Sequence, residues 1–165
     1  MSNKRWEFTG DTNTHFGITL KRIRASEEFR LKCGIVIRKG ELGGWIEKES
    51  NLSGDAWVSG DASVYGDARV CGDARVSGNS WVSGDAWVSG DAEVKSSKDY
   101  CVYKNTWSSL RWFTYTRSNK MWSVGCFYGT GDELIAKAYN YSEKSGKCYE
   151  AIVKAQEAIE KTMEV

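Results

Sequence analysis

A repeat of six residues runs without a gap from Gly54 to Lys95, and it limits the folds open to this chain more than any other feature. Its seven units read GDAWVS, GDASVY, GDARVC, GDARVS, GNSWVS, GDAWVS and GDAEVK, and the looser units LGGWIE and KESNLS precede them at residues 42–53. A period of six does not fit an α-helix, in which apolar positions recur every three or four residues. It is typical of a parallel β-helix, in which a short strand and a turn alternate along the chain.

The positions within each unit predict a coil with three sides. The third residue is small and the fifth is aliphatic. These positions lie two residues apart, so both side chains point to the same side of a strand and predict a thin core of alanine and valine. The Gly-Asp pair suits a corner, because glycine accepts a positive φ and aspartate hydrogen-bonds local backbone. Three units then close a triangular coil of 18 residues, and the nine units predict about three coils.

The fourth position of each unit points outward, and tryptophan or arginine often occupies it. The 18-residue period predicts three columns: Trp57, Arg75 and Glu93; Trp45, Ser63 and Trp81; and Asn51, Arg69 and Trp87. Large exposed apolar patches usually mark an interface, and tryptophan and arginine are enriched at binding hot spots. We therefore predict an oligomer interface that includes Trp45, Trp57, Arg69, Arg75, Trp81 and Trp87. Two alternatives stay open: flanking segments of the same chain cover these residues, or a ligand or a different protein does.

The motif V-S-G-D-A-W resembles the hexapeptide repeat of left-handed β-helix proteins. The segment RIRA at residues 22–25, followed by LGGWIEKESNLS at residues 42–53, is similar to a family of small bacterial and phage hexapeptide-repeat proteins. This resemblance implies a left-handed coil, whereas ordinary parallel crossovers are right-handed. It also implies a homo-oligomer, expected to be a trimer, and a phage-type accessory protein.

The segments on either side of the repeat are expected to cap its ends, because each coil buries surface only against its neighbours. Residues 4–9 and 18–24 alternate apolar and polar side chains around the turn-forming residues 10–13, which predicts a β-hairpin or two strands that cap the first coil. Residues 35–37 predict another short strand. Beyond the repeat, residues 100–128 contain strand-like runs.

A turn at residues 117–120 separates the last two of these runs and predicts a second hairpin. Thr130 and Glu133 then match a capping box that opens a helix to about Tyr141. Gly146 is expected to interrupt the chain before a second helix.

The expected fold is therefore mainly β, with a left-handed parallel β-helix of about three coils at its centre. An N-terminal β segment caps one end, and a C-terminal β-hairpin with two α-helices caps the other. The predicted division is residues 1–41 for the N-terminal cap, 42–95 for the β-helix, 96–129 for the hairpin segment and 130–165 for the helices.

One segment combines positive charge with aromatic side chains. Residues 96–130 carry five basic and one acidic side chain, although the whole chain has a net charge of +1. Stacking surfaces beside phosphate-pairing groups suit a nucleotide or a short single strand. We predict that the ligand-binding residues are Arg111, Phe113, Tyr115, Arg117 and Lys120. The alternative is a hairpin whose aromatic side chains are core and whose charges are solvated.

No catalytic constellation is apparent in the repeat. The hexapeptide-type acyltransferases that the coil resembles use a histidine near a subunit boundary, and the single histidine here, His15, lies outside the coils. The five cysteines form no C-x-x-C pair, and no P-loop or dinucleotide fingerprint is present. We therefore expect no catalytic residue, no metal site and no cofactor.

Composition narrows the function further. The balanced charge argues against bulk nucleic-acid binding, and no apolar run approaches the ~20 residues of a membrane helix. An odd number of scattered cysteines is typical of reduced thiols, which predicts a cytoplasmic protein. For a phage protein, this cytoplasm is that of the host cell. We expect a non-catalytic binding protein that, as a homo-oligomer, sequesters a nucleotide-like small molecule or blocks a host protein in counter-defence. An acyltransferase and a purely structural assembly module are the alternatives.

Overall fold

The N-terminal part of the chain forms a long β-hairpin and a second, shorter pair of strands. The computed structural model describes residues 4–164, in which β1 (Trp6–His15) pairs antiparallel with β2 (Ile18–Ala25), and β3 (Phe29–Arg30) with β4 (Val36–Ile37). The short strand predicted at residues 35–37 is confirmed as β4.

The hairpin turns at Phe16 and Gly17, so the prediction of a turn at residues 10–13 is wrong. Those residues lie within β1, whose pairing with β2 shifts between Phe8 and Thr12. Gly10 has a φ of 97°, a conformation that lets the strand bulge at this point and then resume its pairing.

The repeat forms short strands that stack in parallel, each on the strand 18 residues further along the chain. The strands are β5 (Leu42–Ile46), β6 (Trp57–Val58), β7 (Ser63–Val64), β8 (Arg69–Val70), β9 (Arg75–Val76), β10 (Trp81–Val82), β11 (Trp87–Val88) and β12 (Glu93–Val94), with a 3₁₀ helix at Glu49–Asn51. They form three ladders: β5 with β7 and β10, β6 with β9 and β12, and β8 with β11. These pairings confirm the predicted 18-residue period, and β2 adds the N-terminal hairpin to the first ladder.

The small and aliphatic positions of the repeat form its core, as predicted. Each valine at the fifth position, from Val58 to Val94, is completely buried. At the corners, Gly54 has a φ of 69°, and a Cβ there would lie 3.1 Å from the backbone of Gly72 in the next coil. Only glycine combines this backbone conformation with so close an approach.

The chain beyond the repeat forms a four-stranded antiparallel sheet. Its strands pair in chain order: β13 (Tyr100–Lys104), β14 (Trp112–Thr116), β15 (Met121–Val124) and β16 (Phe127–Gly129). The turn predicted at residues 117–120 is confirmed between β14 and β15. The predicted hairpin is thus the centre of a wider sheet.

Two helices complete the chain, α1 (Gly131–Tyr141) and α2 (Glu143–Met163). The predicted capping box is confirmed, because the Thr130 hydroxyl accepts the Glu133 backbone N–H at 3.3 Å and the Glu133 carboxylate accepts the Thr130 N–H at 2.8 Å. No helix within residues 4–164 is both long and apolar enough to cross a membrane.

The interruption predicted at Gly146 is wrong, because α2 begins earlier and continues through this residue. The Ser142 side chain caps the helix by accepting the Ser145 backbone N–H. A Cβ at Gly146 would lie 2.3 Å from ring atoms of Tyr139. The glycine therefore provides room for close packing of α1 on α2 rather than a helix end.

The C-terminal sheet lies between the last coil of the repeat and the helices. Thr114 and Ser123 face the coil, where the Ser123 hydroxyl shares a hydrogen bond of 2.7 Å with Ser89. Phe113 and Tyr115 face the opposite way, into an apolar core shared with the helices. Both faces of β14 are consequently covered.

Hydroxyl side chains from the C-terminal region cap the open edge of the last coil. Within the repeat, backbone N–H groups donate to carbonyls of the following coil, as from Trp57 to Ala74 at 3.0 Å. In the last coil, Trp81, Trp87 and Glu93 instead donate their N–H groups to the hydroxyls of Ser97 (3.1 Å), Thr114 (2.8 Å) and Ser118 (2.8 Å). In each of the three ladders, one hydroxyl accepts an N–H of the last strand. This contact protects an edge that could otherwise pair with another strand.

The Thr114 cap predicts the effect of one substitution. Thr114→Val keeps the shape of this buried side chain but leaves the Trp87 N–H without its acceptor. We expect a loss of about 1–3 kcal/mol in the free energy of unfolding, measured by denaturant titration. Thr19→Val, at an exposed position of β2, is the matched control. Equal stability of the two variants would show that the hydroxyl contributes nothing to the cap.

Candidate functional site

A groove of about 460 Å³ lies between the C-terminal sheet, the loop after β13 and the two helices. Val124, Phe127, Leu134, Ala138 and Tyr149 line it, so that much of its wall is apolar. Small-molecule sites typically enclose about 300–1,000 Å³ and combine apolar walls with a few polar groups. The groove has the size and lining of such a site.

Both charged side chains that line this groove are basic, and we call it the basic groove. Arg111 reaches it from the loop between β13 and β14, and Lys137 reaches it from α1. The Lys137 Nζ lies 5.3 Å from the centre of the Phe127 ring. Basic groups pair with phosphate or carboxylate, and aromatic faces stack on planar groups. The arrangement therefore suits a planar molecule that carries negative charge.

Asn105 holds the loop that carries Arg111. It is 1% exposed, and its side-chain amide donates to the hydroxyls of Ser108 at 2.9 Å and Tyr149 at 3.2 Å. Its backbone N–H donates to the Arg111 carbonyl at 2.9 Å. The loop is thereby fixed to α2. Our sequence reasoning missed Asn105, since an asparagine after a strand indicates a turn but not a bond to a residue of a distant helix.

The prediction that Phe113 binds a ligand is wrong. Phe113 is completely buried and Tyr115 is 5% exposed, in the core between the sheet and the helices. The sequence showed aromatic residues on a strand but could not show that helices cover that face. The open alternative, a hairpin whose aromatic side chains are core, applies to these two residues.

Arg117 and Lys120 lie away from the basic groove. The Arg117 Nε is 2.9 Å from a carboxylate oxygen of Glu160 on α2, so its charge is already paired. Lys120 lines a different cavity, of about 400 Å³, together with the predicted residue Tyr115 and with Glu157 and Glu160. The five predicted ligand-binding residues are therefore divided among the core and two cavities, and only Arg111 lines the basic groove.

The prediction of an interface role is wrong for Trp57, which is completely buried within the chain. Its ring centre lies 5.7 Å from that of Phe29, in the N-terminal segment that folds back over this side of the repeat. Ion pairs hold the segment there: Arg5 to Asp55 at 3.2 Å, and Lys32 to Asp73 at 3.0 Å. For Trp57, the first of the two open alternatives holds: a flanking segment of the same chain covers the side chain.

The other predicted interface residues differ in exposure. Trp45, Arg75 and Trp87 are partly buried, and Arg69 and Trp81 are exposed. The Arg22 guanidinium covers the Trp45 ring at 5.4 Å. Trp81 remains 41% exposed beside Phe16, which is 82% exposed at the hairpin turn. With His15, whose ring lies 4.9 Å from that of Trp81, they form an exposed aromatic patch.

Among residues 4–164, no group of three or more His, Cys, Asp or Glu side chains is arranged to hold a metal ion. All five cysteines are free thiols. His15 lies in the aromatic patch and not in the basic groove.

Comparison with known families gives one match. The model of the YdcK beta solenoid repeat matches residues 68–84, which span β8, β9 and β10. This match supports a β-solenoid repeat in the central part of the chain. No curated protein matches the sequence.

Burial raises the pKa of Tyr115 to about 12, and the nearby carboxylate of Glu160 adds to the effect. A folded-state pKa above the ordinary value of 10 means that folding favours the neutral phenol. The resulting stabilisation is complete below pH 10 and is lost as the pH rises from 10 to about 12.

Tyr115→Phe should therefore change the stability of the protein at high pH. We expect the variant to lose less unfolding free energy than the original protein between pH 10 and about 12, measured by denaturant titration at several pH values. Tyr141→Phe, at an exposed position, is the control and should leave the alkaline loss unchanged. An identical loss in Tyr115→Phe and the original protein would contradict the assignment.

Proposed function

We propose that this protein is a non-catalytic binding protein that holds a nucleotide-like small molecule in the basic groove. The observation that carries the proposal is the pairing of Arg111 and Lys137 over an apolar and aromatic wall. Phosphate binds such basic groups, and a base stacks on an aromatic side chain such as Phe127. A sequestering protein needs affinity and no chemical step, which agrees with the arrangement of the described residues.

We further propose that the repeat is a left-handed, triangular parallel β-helix. The parallel pairing at an 18-residue offset, the corner glycines and the match to a β-solenoid repeat support a coil with three sides. The proposed left-handedness of the coil rests on the resemblance to hexapeptide-repeat proteins.

The biological setting we propose is that of a phage-type accessory protein acting in the host cytoplasm. The similarity of RIRA and LGGWIEKESNLS to small bacterial and phage hexapeptide-repeat proteins supports this setting. Removal of a nucleotide-type signal would serve counter-defence. Blocking of a host protein is the second form of the same role.

The basic groove predicts the effect of removing each charge. Arg111→Ala and Lys137→Ala should each weaken the binding of adenosine monophosphate about 10- to 100-fold, because each removes a charge-assisted hydrogen bond. Isothermal titration calorimetry measures the affinities. Arg38→Ala and Lys144→Ala, at exposed positions outside the groove, are the matched controls.

Native mass spectrometry of the purified protein provides an independent readout. A bound nucleotide-sized mass that disappears in Arg111→Ala would support sequestration. Unchanged affinity in both groove variants would contradict the assigned site. Acetyl-coenzyme A binding that depends on His15 would favour an acyltransferase, and an oligomer that binds neither compound would favour a structural module.

We propose that the chain forms a homotrimer through the aromatic patch of His15, Phe16 and Trp81. The exposure of Phe16 and Trp81 supports this proposal, since large exposed apolar side chains in one place usually mark an interface. Substituting both by serine should convert the trimer to monomer in size-exclusion chromatography with light scattering. Ile159→Ser, at an exposed apolar position on α2, is the control. A trimer that survives the double substitution would exclude this interface.

A further inference from the structure

A second groove, of about 350 Å³, lies beside the basic groove where the repeat meets the C-terminal sheet. Trp87 of the repeat and Trp112 of β14 line it, and we call it the tryptophan groove. Arg111 lines both grooves. One guanidinium is thus available to each of two neighbouring cavities.

The turn between β15 and β16 forms the wall between the grooves. Val124 and Cys126 line the basic groove, whereas Gly125 between them lines the tryptophan groove. Arg111 lies across this turn, since a Cβ at Gly125 would be 3.2 Å from its Nη1. Gly125 also has a φ of 56°, so the tight turn and the close guanidinium both favour glycine.

The tryptophan groove offers aromatic surface with defined orientation. The Trp87 indole N–H donates to the Cys71 Sγ at 3.0 Å, which orients the ring along the side of the repeat. Trp112 is 39% exposed at the start of β14. The Arg69 guanidinium lies 5.8 Å from the centre of the Trp87 ring, and the Lys104 Nζ lies 5.0 Å from that of the Trp112 ring, so each ring has a cation over one face. Exposed aromatic rings are the usual platforms for nucleic acid bases.

The charges in the tryptophan groove differ from those in the basic groove. Asp67 and Asp85 line it in addition to basic side chains. Lys48 is 2.9 Å from Asp67 and satisfies that carboxylate, whereas Asp85 forms none of the ion pairs found among residues 4–164. The Asp85 carboxylate is therefore open to a hydrogen-bond donor such as the exocyclic amine of a base. A second phosphate is disfavoured there.

We propose that the ligand is a dinucleotide that spans both grooves. Its phosphodiester binds Arg111, one base enters the basic groove, and the other base stacks in the tryptophan groove with an amine toward Asp85. This inference rests on the proposed function and names the ligand class of the same site. It follows from the position of one guanidinium between two aromatic-lined cavities.

The test compares adenosine monophosphate with the dinucleoside monophosphate ApA by calorimetry. ApA should bind about tenfold or more tightly than adenosine monophosphate, because a second base is stacked. Trp112→Ala should remove this advantage and leave the affinity for adenosine monophosphate within about twofold. Asp85→Asn, which preserves shape, should also weaken ApA selectively. Ile159→Ala, an exposed apolar position outside both grooves, is the control for both ligands.

The outcomes separate this inference from the proposed function. Equal affinity for the two ligands, or an equal effect of Trp112→Ala on both, would overturn the dinucleotide. The mononucleotide site would stand if Arg111→Ala still weakens the binding of adenosine monophosphate as expected. Failure of both ligands to bind the original protein would overturn the proposed function and the inference with it.

Discussion

Backbone hydrogen bonding between stacked coils is the constraint on which the other parts of this structure depend. In all three ladders, N–H groups of one coil donate to carbonyls of the following coil, as from Trp45 to Ala62, from Trp57 to Ala74 and from Arg69 to Ala86. The last coil would therefore present a row of unpaired donors. An unsatisfied buried donor costs about 1–3 kcal/mol, and an open edge invites pairing with another chain. Hydroxyl side chains of Ser97, Thr114 and Ser118 meet this need, one for each ladder.

The capping role of the sheet explains where the candidate site lies. One face of β14 is occupied by the last coil, and the other by the apolar core beneath the helices. Side chains in the middle of the strand, such as Phe113, are consequently unavailable to a ligand. The groups that line the two grooves lie where the sheet ends, at the loop that carries Arg111 and the turn that contains Gly125. Both grooves meet there, between the repeat and the helix pair.

Local signals in the sequence predicted much of the fold and little of the site. The hexapeptide period predicted the parallel pairing, and the Thr130 box predicted the start of α1, because each depends on residues close in sequence. The helix break expected at Gly146 failed for a tertiary reason, since the glycine makes room for the Tyr139 ring. The N-terminal turn failed because a bulge inside β1 uses turn-forming residues without reversing the chain. Arg111 was predicted, whereas Lys137 and Asn105 were missed, because their relation to it exists only after α1 and α2 pack on the sheet.

The sequence by itself determined the short strands of the repeat, its buried core and the 18-residue interval at which its strands stack. A six-residue period of glycine, small and aliphatic positions admits few other arrangements of backbone hydrogen bonds and buried side chains. Tertiary structure alone decided which outward residues remain accessible. Trp57 and Trp81 occupy equivalent positions in the repeat, yet the N-terminal segment buries the first and leaves the second 41% exposed. The physical reason is that burial depends on segments distant in sequence, and no local pattern records where those segments will pack.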